Sequence, residues 1–280
     1  MPDDRAVVRR ALVPCGGRGT RMLGLTSGAA KELIPVAGVP AVEWVVRECA
    51  ASGIDELLVI IAPGKESIAE HLTPLADRPE YPARIEFAVQ PTARGLADAI
   101  RLGRDFAGGE PLAIALPDNL FVGDAPGVVQ VVESFASTGR NTVAVVEIFA
   151  EEAARRGPTS VLPGELAGDE YRIARIPDKG ERTARFDTGG RPSAFTNVGR
   201  YVFTPELFDV IDAVERALPA GAELDDVPVL QRLLAEDRLV GRRIRGRFLD
   251  LGLPEGYAEA DRLLRGEGQR VNGPRVQGGG

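Results

Sequence analysis

The sequence predicts a doubly wound α/β fold with a mostly parallel sheet. Two observations predict it. Short apolar runs recur at 11–14, 57–61, 85–89, 112–116 and 142–146, and segments of helical spacing and length, 40–51, 95–106 and 127–137, stand between them. Alternation of this kind belongs to parallel strands covered by helices on both faces.

Each element has its own reason. The run 11–14 is short, apolar and followed at once by glycines, which marks a strand end. The segments 40–51 and 95–106 place apolar residues every three or four positions after a proline or glycine start. Between 151 and 191 the pattern weakens among Gly157-Pro158, Pro163-Gly164 and Gly189-Gly190, and loops with short edge strands are expected there. Regularity returns with a strand at 197–203 and helices at 205–214, 227–236 and 254–264. The tail from 266 to 280 carries six glycines and few apolar residues, so disorder is expected.

Length and composition allow a full hydrophobic core: 280 residues, 44% hydrophobic and 27% charged. A net charge of -7 argues against broad nucleic-acid or anionic-membrane binding, because both need a basic surface. No apolar stretch is long enough to span a bilayer, and the start Met-Pro-Asp-Asp-Arg is too polar for a secretion signal. A cytosolic protein with no nucleic-acid and no membrane partner is therefore expected. Cys15 and Cys49 form no metal or disulfide pattern, and the single His71 closes an amphipathic segment.

The glycine-rich turn after the first strand carries the strongest signal. Gly16, Gly17 and Gly19 have no Cβ, so the backbone can take positive φ and aim successive N–H groups at phosphate oxygens without a side chain intervening. Two commoner readings fail on spacing. A dinucleotide fingerprint starting at Gly17 meets Met22 where its last glycine belongs, and a Walker loop starting at Gly19 continues Leu25-Thr26 instead of Lys-Ser/Thr.

The block Gly16-Gly17-Arg18-Gly19-Thr20-Arg21-Met22-Leu23, followed by Lys31-Glu32-Leu33-Ile34-Pro35, resembles the sugar-1-phosphate nucleotidyltransferases. UTP:glucose-1-phosphate uridylyltransferases are the nearest form. The resemblance continues through Gly64-Lys65-Glu66-Ser67-Ile68 and on to about residue 264. It implies a Rossmann-like nucleotide-binding part at about 1–147, a sugar-binding, β-rich part at about 148–265, and a homo-oligomer. Asp118-Asn119-Leu120-Phe121-Val122-Gly123 looks more like the thymidylyltransferase form D-N-x-F-x-G, so the chain mixes two signatures.

In an open α/β sheet, ligands sit at the carboxyl ends of strands, which gives the residues just after each predicted strand the best claim to function. Gln90 after the run 85–89, Asp118 after the run 112–116 and Asp250 after the short apolar run Phe248-Leu249 meet that test together with the loop. Gln90 begins a segment similar to the family's pyrimidine reader, and its amide offers a donor and an acceptor that complement a uracil or thymine edge. Gly95 lets base or ribose approach the backbone. Asp118 and Asp250 resemble the family's magnesium ligands, two hard-oxygen carboxylates. On the acceptor side, Asp178, Lys179, Asn197, Gly199 and Glu223 match sugar-phosphate-binding positions, with departures: Asp178 is shorter than the usual glutamate, and Ala194, Asn197, Val227 and Pro228 replace other residues.

The resemblance implies that a sugar 1-phosphate and a nucleoside triphosphate, UTP first, give an NDP-sugar and pyrophosphate, with Mg²⁺ as cofactor. Arg21 and Lys31 are the implied catalytic cations, and Gly16, Gly17, Gly19 and Thr20 the phosphate loop. Three other readings stay open at this point: a glucose-1-phosphate thymidylyltransferase, the same reaction on an atypical sugar or cyclitol phosphate, and a non-catalytic nucleotide-sugar-binding regulator.

Overall fold

The structure, a computed structural model, describes residues 7–17, 30–76, 78–149, 151, 160–178, 190 and 192–266. Strand β1 (Arg10–Cys15) is followed by a hairpin of two-residue strands, β2 (Pro35–Val36) and β3 (Val39–Pro40). Ala37 and Gly38 turn this hairpin with φ of 51° and 86°, the paired positive values that a tight hairpin turn requires.

The remaining strands are β4 (Glu56–Ile61), β5 (Arg84–Val89), β6 (Leu112–Ala115), β7 (Asn119–Val122), β8 (Asn141–Phe149), β9 (Ser160–Ala167), β10 (Glu170–Arg175), β11 (Ser193–Phe203), β12 (Leu239–Arg243) and β13 (Arg247–Asp250). Nine strands, β1 among them, form one sheet in the order β5-β4-β1-β6-β11-β8-β12-β10-β9. Strands β5, β4, β1 and β6 are mutually parallel, as are β8 and β12. Within this sheet only β11 and β10 run against the common direction. The mostly parallel α/β sheet that the sequence predicts is present.

Side chains on successive strand positions enter two different cores, as a doubly wound sheet requires. Ala11, Val13 and Cys15 of β1 and Leu57, Val59 and Ile61 of β4 join one cluster; Leu12, Leu58 and Ile60 join the other. Helices α1 (Ala41–Ala51), α2 (Glu66–Leu72), α5 (Gly127–Thr138) and α8 (Pro254–Gly266) cover the first face. Helices α3 (Leu96–Arg101), α4 (Arg104–Ala107), α6 (Leu207–Ala217) and α7 (Asp226–Ala235) cover the second. Each fully buried Leu or Ile, such as Leu12 or Ile114, contributes about 1.5–3 kcal/mol by leaving water.

The structure corrects the predicted 95–106 helix. It breaks into α3 and α4 at Gly103, where a Cβ would lie 2.7 Å from the Leu12 side chain and 3.2 Å from the Ile100 carbonyl. Strands β12 and β7 are additions to the predicted elements, and the short apolar run Phe248-Leu249 lies in β13, which pairs with β7 in a small ribbon. In that ribbon Asn119 pairs with Asp250, which brings the end of β6 beside the far C-terminal part of the chain. The expected edge strands after 151 are β9 and β10. The tail beyond residue 266 lies outside the described residues. Among those residues, no helix is long and apolar enough to cross a membrane.

Candidate active site

Strand β1 delivers Gly16 and Gly17 to the mouth of a cleft of about 460 Å³ at the carboxyl end of the parallel strands. Neither glycine uses the positive φ open to it; both stay outside the left-handed region. What requires glycine at 16 is close approach: a Cβ there would sit 2.6 Å from Oε1 of Gln90. Gly17 is exposed at the cleft edge.

Lys31 begins a short 3-10 turn, Lys31–Leu33, and its Nζ donates to Oδ2 of Asp118 at 2.8 Å. Burial alone would lower the lysine pKa. The Asp118 carboxylate, through charge and hydrogen bond, and then Glu32 outweigh burial, and the net direction is up. Cys15, directly below the loop, is fully buried; burial first and Glu32 second hold its thiol protonated, so it offers no nucleophile.

Asp118 and Asp250 meet in space although they are remote in sequence. The Leu251 N–H donates to the Asp118 carbonyl at 2.7 Å, and the Gly252 N–H to Asp250 Oδ1 at 2.9 Å. A Cβ on Gly252 would lie 3.0 Å from Asp250 Oδ1 and 3.9 Å from Asp118 Oδ2, so glycine leaves the space between the two carboxylates open. This pair offers hard oxygen donors of the kind magnesium takes.

Gln90 follows β5, is buried at 4% exposure, and lines the cleft. Its Nε2 donates to Asp98 Oδ2 at 2.8 Å and to the Gly95 carbonyl at 3.2 Å, and both partners are acceptors. The amide hydrogens are therefore taken, and only the acceptor half of the expected base-reading pair faces the loop. The Asp98 carboxylate is the physical cause, because it orients the amide from α3.

Gly95 starts α3 with φ of 121°, and a Cβ there would lie 2.3 Å from the Leu224 carbonyl oxygen. The two chains are stitched at this crossing: Leu224 N–H donates to Arg94 O at 2.6 Å, and Asp98 N–H to Leu224 O at 3.1 Å. Glu223 consequently lines the main cleft. It also lines a neighbouring cleft of about 390 Å³ together with Asp178, Asp225 and Gln231. Gln231 Nε2 holds Asp178 Oδ1 at 2.7 Å.

The structure thus gathers Gly16, Gly17, Lys31, Gln90, Gly95, Asp118 and Glu223 around one cleft, with Asp250 beside Asp118 and Asp178 next door. Asn197 and Gly199 are placed differently. Asn197 Nδ2 donates to the Tyr201 hydroxyl at 2.7 Å and its Oδ1 accepts from Gly199 N–H at 3.0 Å, so this amide braces a bulge in β11. Gly199, with φ of 65°, lets β11 approach Leu116 and Asn119, whose side chains would meet a Cβ within 3 Å. Both support the strand that backs Asp118 rather than lining either cleft. Gly19, Thr20, Arg21 and Lys179 lie outside the described residues.

Two further cations matter that strand-end reasoning missed. Arg200 is fully buried and every one of its five N–H groups has an acceptor: both Glu48 carboxylate oxygens and the carbonyls of Leu116, Gly199 and Asn119. Two of those carbonyls flank the Pro117-Asp118 pair. Lys65 holds the end of β1 and the glycine turn, donating to Cys15 O and Gly17 O. The signal available in sequence was a lone arginine inside the apolar run of β11 and a lysine in the block 64–68.

Comparison with known proteins agrees with this geometry. Residues 10–266 match the family described as nucleotidyl transferase. A Bacillus subtilis (strain 168) protein provisionally named UTP–glucose-1-phosphate uridylyltransferase is 31% identical over 269 residues, covering 90% of this chain and 94% of its own. UTP–glucose-1-phosphate uridylyltransferase 2 of Staphylococcus saprophyticus is 27% identical over 270 residues, 90% of each chain. In fold, a crystal structure of UDP-glucose pyrophosphorylase complexed with UDP-glucose matches with a TM-score of 0.77 at 24% identity, over 91% of this chain and 98% of that one. The chain, with its glycine turn, cleft lysine and paired aspartates, belongs to the nucleotidyl transferase family.

Proposed function

We propose that this protein is a sugar-1-phosphate nucleotidyltransferase that joins a pyrimidine nucleoside triphosphate, UTP first, to a sugar 1-phosphate. The products are an NDP-sugar and pyrophosphate. The observation that carries the reading is the convergence of Gly16, Gly17, Lys31, Gln90 and Asp118 on one cleft that shares Glu223 with a second cleft. The first cleft carries the glycine turn and Lys31, which suit phosphates, the second is lined by Asp178, Glu223, Asp225 and Gln231, which suit sugar hydroxyls, and the uridylyltransferase relatives support UTP.

In this reaction a phosphate oxygen of the acceptor forms a bond to the α-phosphorus while the bond to the departing pyrophosphate oxygen breaks. Such a transfer needs alignment and charge neutralisation more than covalent help. Lys31, at the cleft wall, bridges the reacting phosphates once it leaves Asp118. Gln90 Oε1 accepts from the base N3–H, and Glu223 and Asp178 take acceptor hydroxyls. Arg21 is assigned the pyrophosphate and Lys179 the acceptor phosphate by the sequence resemblance. Asp118 and Asp250 are the residues for magnesium, which when bound supplies charge neutralisation at the α-phosphate. The same reading carries a cytosolic location and a homo-oligomeric assembly, the latter measurable by light scattering.

The thymidylyltransferase form is favoured by one feature, the Asp118-Asn119 pair of the sequence pattern. The test is a matrix of UTP, dTTP and other triphosphates against a panel of sugar and cyclitol 1-phosphates, with magnesium, scored by pyrophosphate release. Turnover with UTP above dTTP supports the uridylyl reading, and the reverse replaces it. Calorimetric binding without release from any pair makes the protein a binder and sinks the enzyme reading.

A further inference from the structure

Lys65 stands in the turn between β4 and α2, and its side chain is 15% exposed. Its ammonium donates to Cys15 O at 2.8 Å, to Gly17 O at 2.7 Å and to the Glu32 carboxylate at 2.9 and 3.0 Å. Glu32 is 2% exposed and follows Lys31 in the 3-10 turn. One ammonium therefore fastens three pieces of chain: the end of β1, the glycine turn, and the turn that carries Lys31. An ammonium has three hydrogens, and two carbonyls and one carboxylate engage all of them. Lys65 has no donor left for a substrate phosphate.

The direction of those bonds matters. In a trans peptide the C=O and N–H point to opposite sides, and the described residues contain no cis peptide. Drawing the Cys15 carbonyl toward Lys65 turns the Gly16 N–H the other way, and Gly16 lines the cleft. Without the ammonium, the carbonyls of Cys15 and Gly17 and the carboxylate of Glu32 would share one small volume, four oxygens with partial or full negative charge that the ammonium no longer neutralises. The turn would then rearrange, and carbonyl oxygens facing a polyphosphate repel it.

We infer that Lys65 is a positioning residue for nucleotide binding: with Glu32 as its counter-charge, it presets the amides of the glycine turn and the backbone of Lys31 before the triphosphate arrives. This rests on the nucleotidyl-transfer reading above. Preorganisation of this kind acts on the triphosphate and leaves the acceptor cleft alone. Neither Lys65 nor Glu32 reaches Asp178 or the cleft beside it.

The experiment uses the full chain and the variants Lys65→Met, Lys65→Arg and Glu32→Gln, with pyrophosphate-release kinetics, UTP calorimetry in the absence of acceptor, and thermal melting. For folded Lys65→Met, KM for UTP and the calorimetric Kd rise about tenfold or more, while KM for the sugar phosphate stays within about twofold. Lys65→Arg, whose fork still reaches carbonyl and carboxylate, recovers part of that loss, and Glu32→Gln shows a smaller shift in the same direction. A folded Lys65→Met protein with wild-type UTP affinity overturns the inference, as does an equal loss for both substrates. Should Lys65→Met fail to fold, Glu32→Gln decides: unchanged UTP affinity overturns the inference. A wild type that binds UTP without turnover fails the proposed function and leaves Lys65 to be decided by calorimetry; one that binds no triphosphate overturns both.

Discussion

The Lys31 ammonium stands 2.8 Å from the Asp118 carboxylate, so the cleft already holds the cation and the anion that a bound polyphosphate and its metal would separate. Each is half-shielded, with side-chain exposures of 16% and 32%, and each partner holds the other where it is needed. Replacing Lys31 with Ala removes a preset positive charge from the reacting phosphates. The expected loss in kcat is about a hundredfold to a thousandfold, measured as pyrophosphate release. The pH behaviour follows from the upward shift at Lys31. The folded ammonium holds its proton more tightly than the unfolded chain does. Its contribution to stability is therefore complete below the ordinary lysine value of about 10.4 and lost only as pH rises through the higher folded value. Activity should show no titration limb from Lys31 between about pH 7 and 9.

Asp250 makes the second prediction. Its Oδ1 is oriented by the Gly252 N–H and faces the same gap as Asp118 Oδ2. Asp250→Asn preserves that orientation and removes the charge. The magnesium concentration giving half-maximal rate should rise about tenfold, with partial recovery of kcat at high magnesium. Wild-type turnover at limiting magnesium would remove Asp250 from the metal site.

Much of this arrangement was legible because a strand end is a local feature. An apolar run followed by glycine, glutamine or aspartate marks where the chain leaves the sheet, and Gly16, Gln90 and Asp118 were found on that basis. The supports were not legible, since they depend on pairs far apart in sequence. Arg200 sits in the apolar run of β11, and only tertiary packing shows Glu48 from α1 and three carbonyls enclosing it. Asn197 reads as a substrate contact by its position in a family pattern, yet Tyr201 and Gly199 hold both ends of its amide. Strand β12 was hidden by Arg242 and Arg243, whose charges mask a register set by pairing with β8.

Gly95 links the two clefts and cannot bear a side chain. Its φ of 121° and the 2.3 Å approach of the Leu224 carbonyl mean that Gly95→Ala must shift either α3 or the segment carrying Glu223. Strain and overpacking together should cost about 3 kcal/mol or more. In a protein of this size that corresponds to a melting temperature lower by about 6–10 °C, with activity reduced further because Gln90 and Glu223 move apart. An unchanged melting temperature would show that this crossing is not fixed.

Asp226 gives the clearest pH test of stability. It lies at the start of α7, is half-buried, and accepts from the Tyr201 hydroxyl at 3.0 Å beside Asp225. Burial first and Asp225 second push its carboxyl up to about 6. The folded chain therefore binds this proton more tightly than the unfolded chain. Stability falls as pH rises from the ordinary carboxyl value of about 4 through the folded value, and the cost is complete above it. Asp226→Asn keeps an oxygen for Tyr201 and removes the charge that burial and Asp225 oppose. The variant should melt above the wild type by a few degrees at pH near 8, and the difference should vanish at about pH 4, where both side chains are neutral. A variant that melts lower than the wild type at the alkaline end would mean that the helix start, where negative charge is favourable, outweighs the crowding.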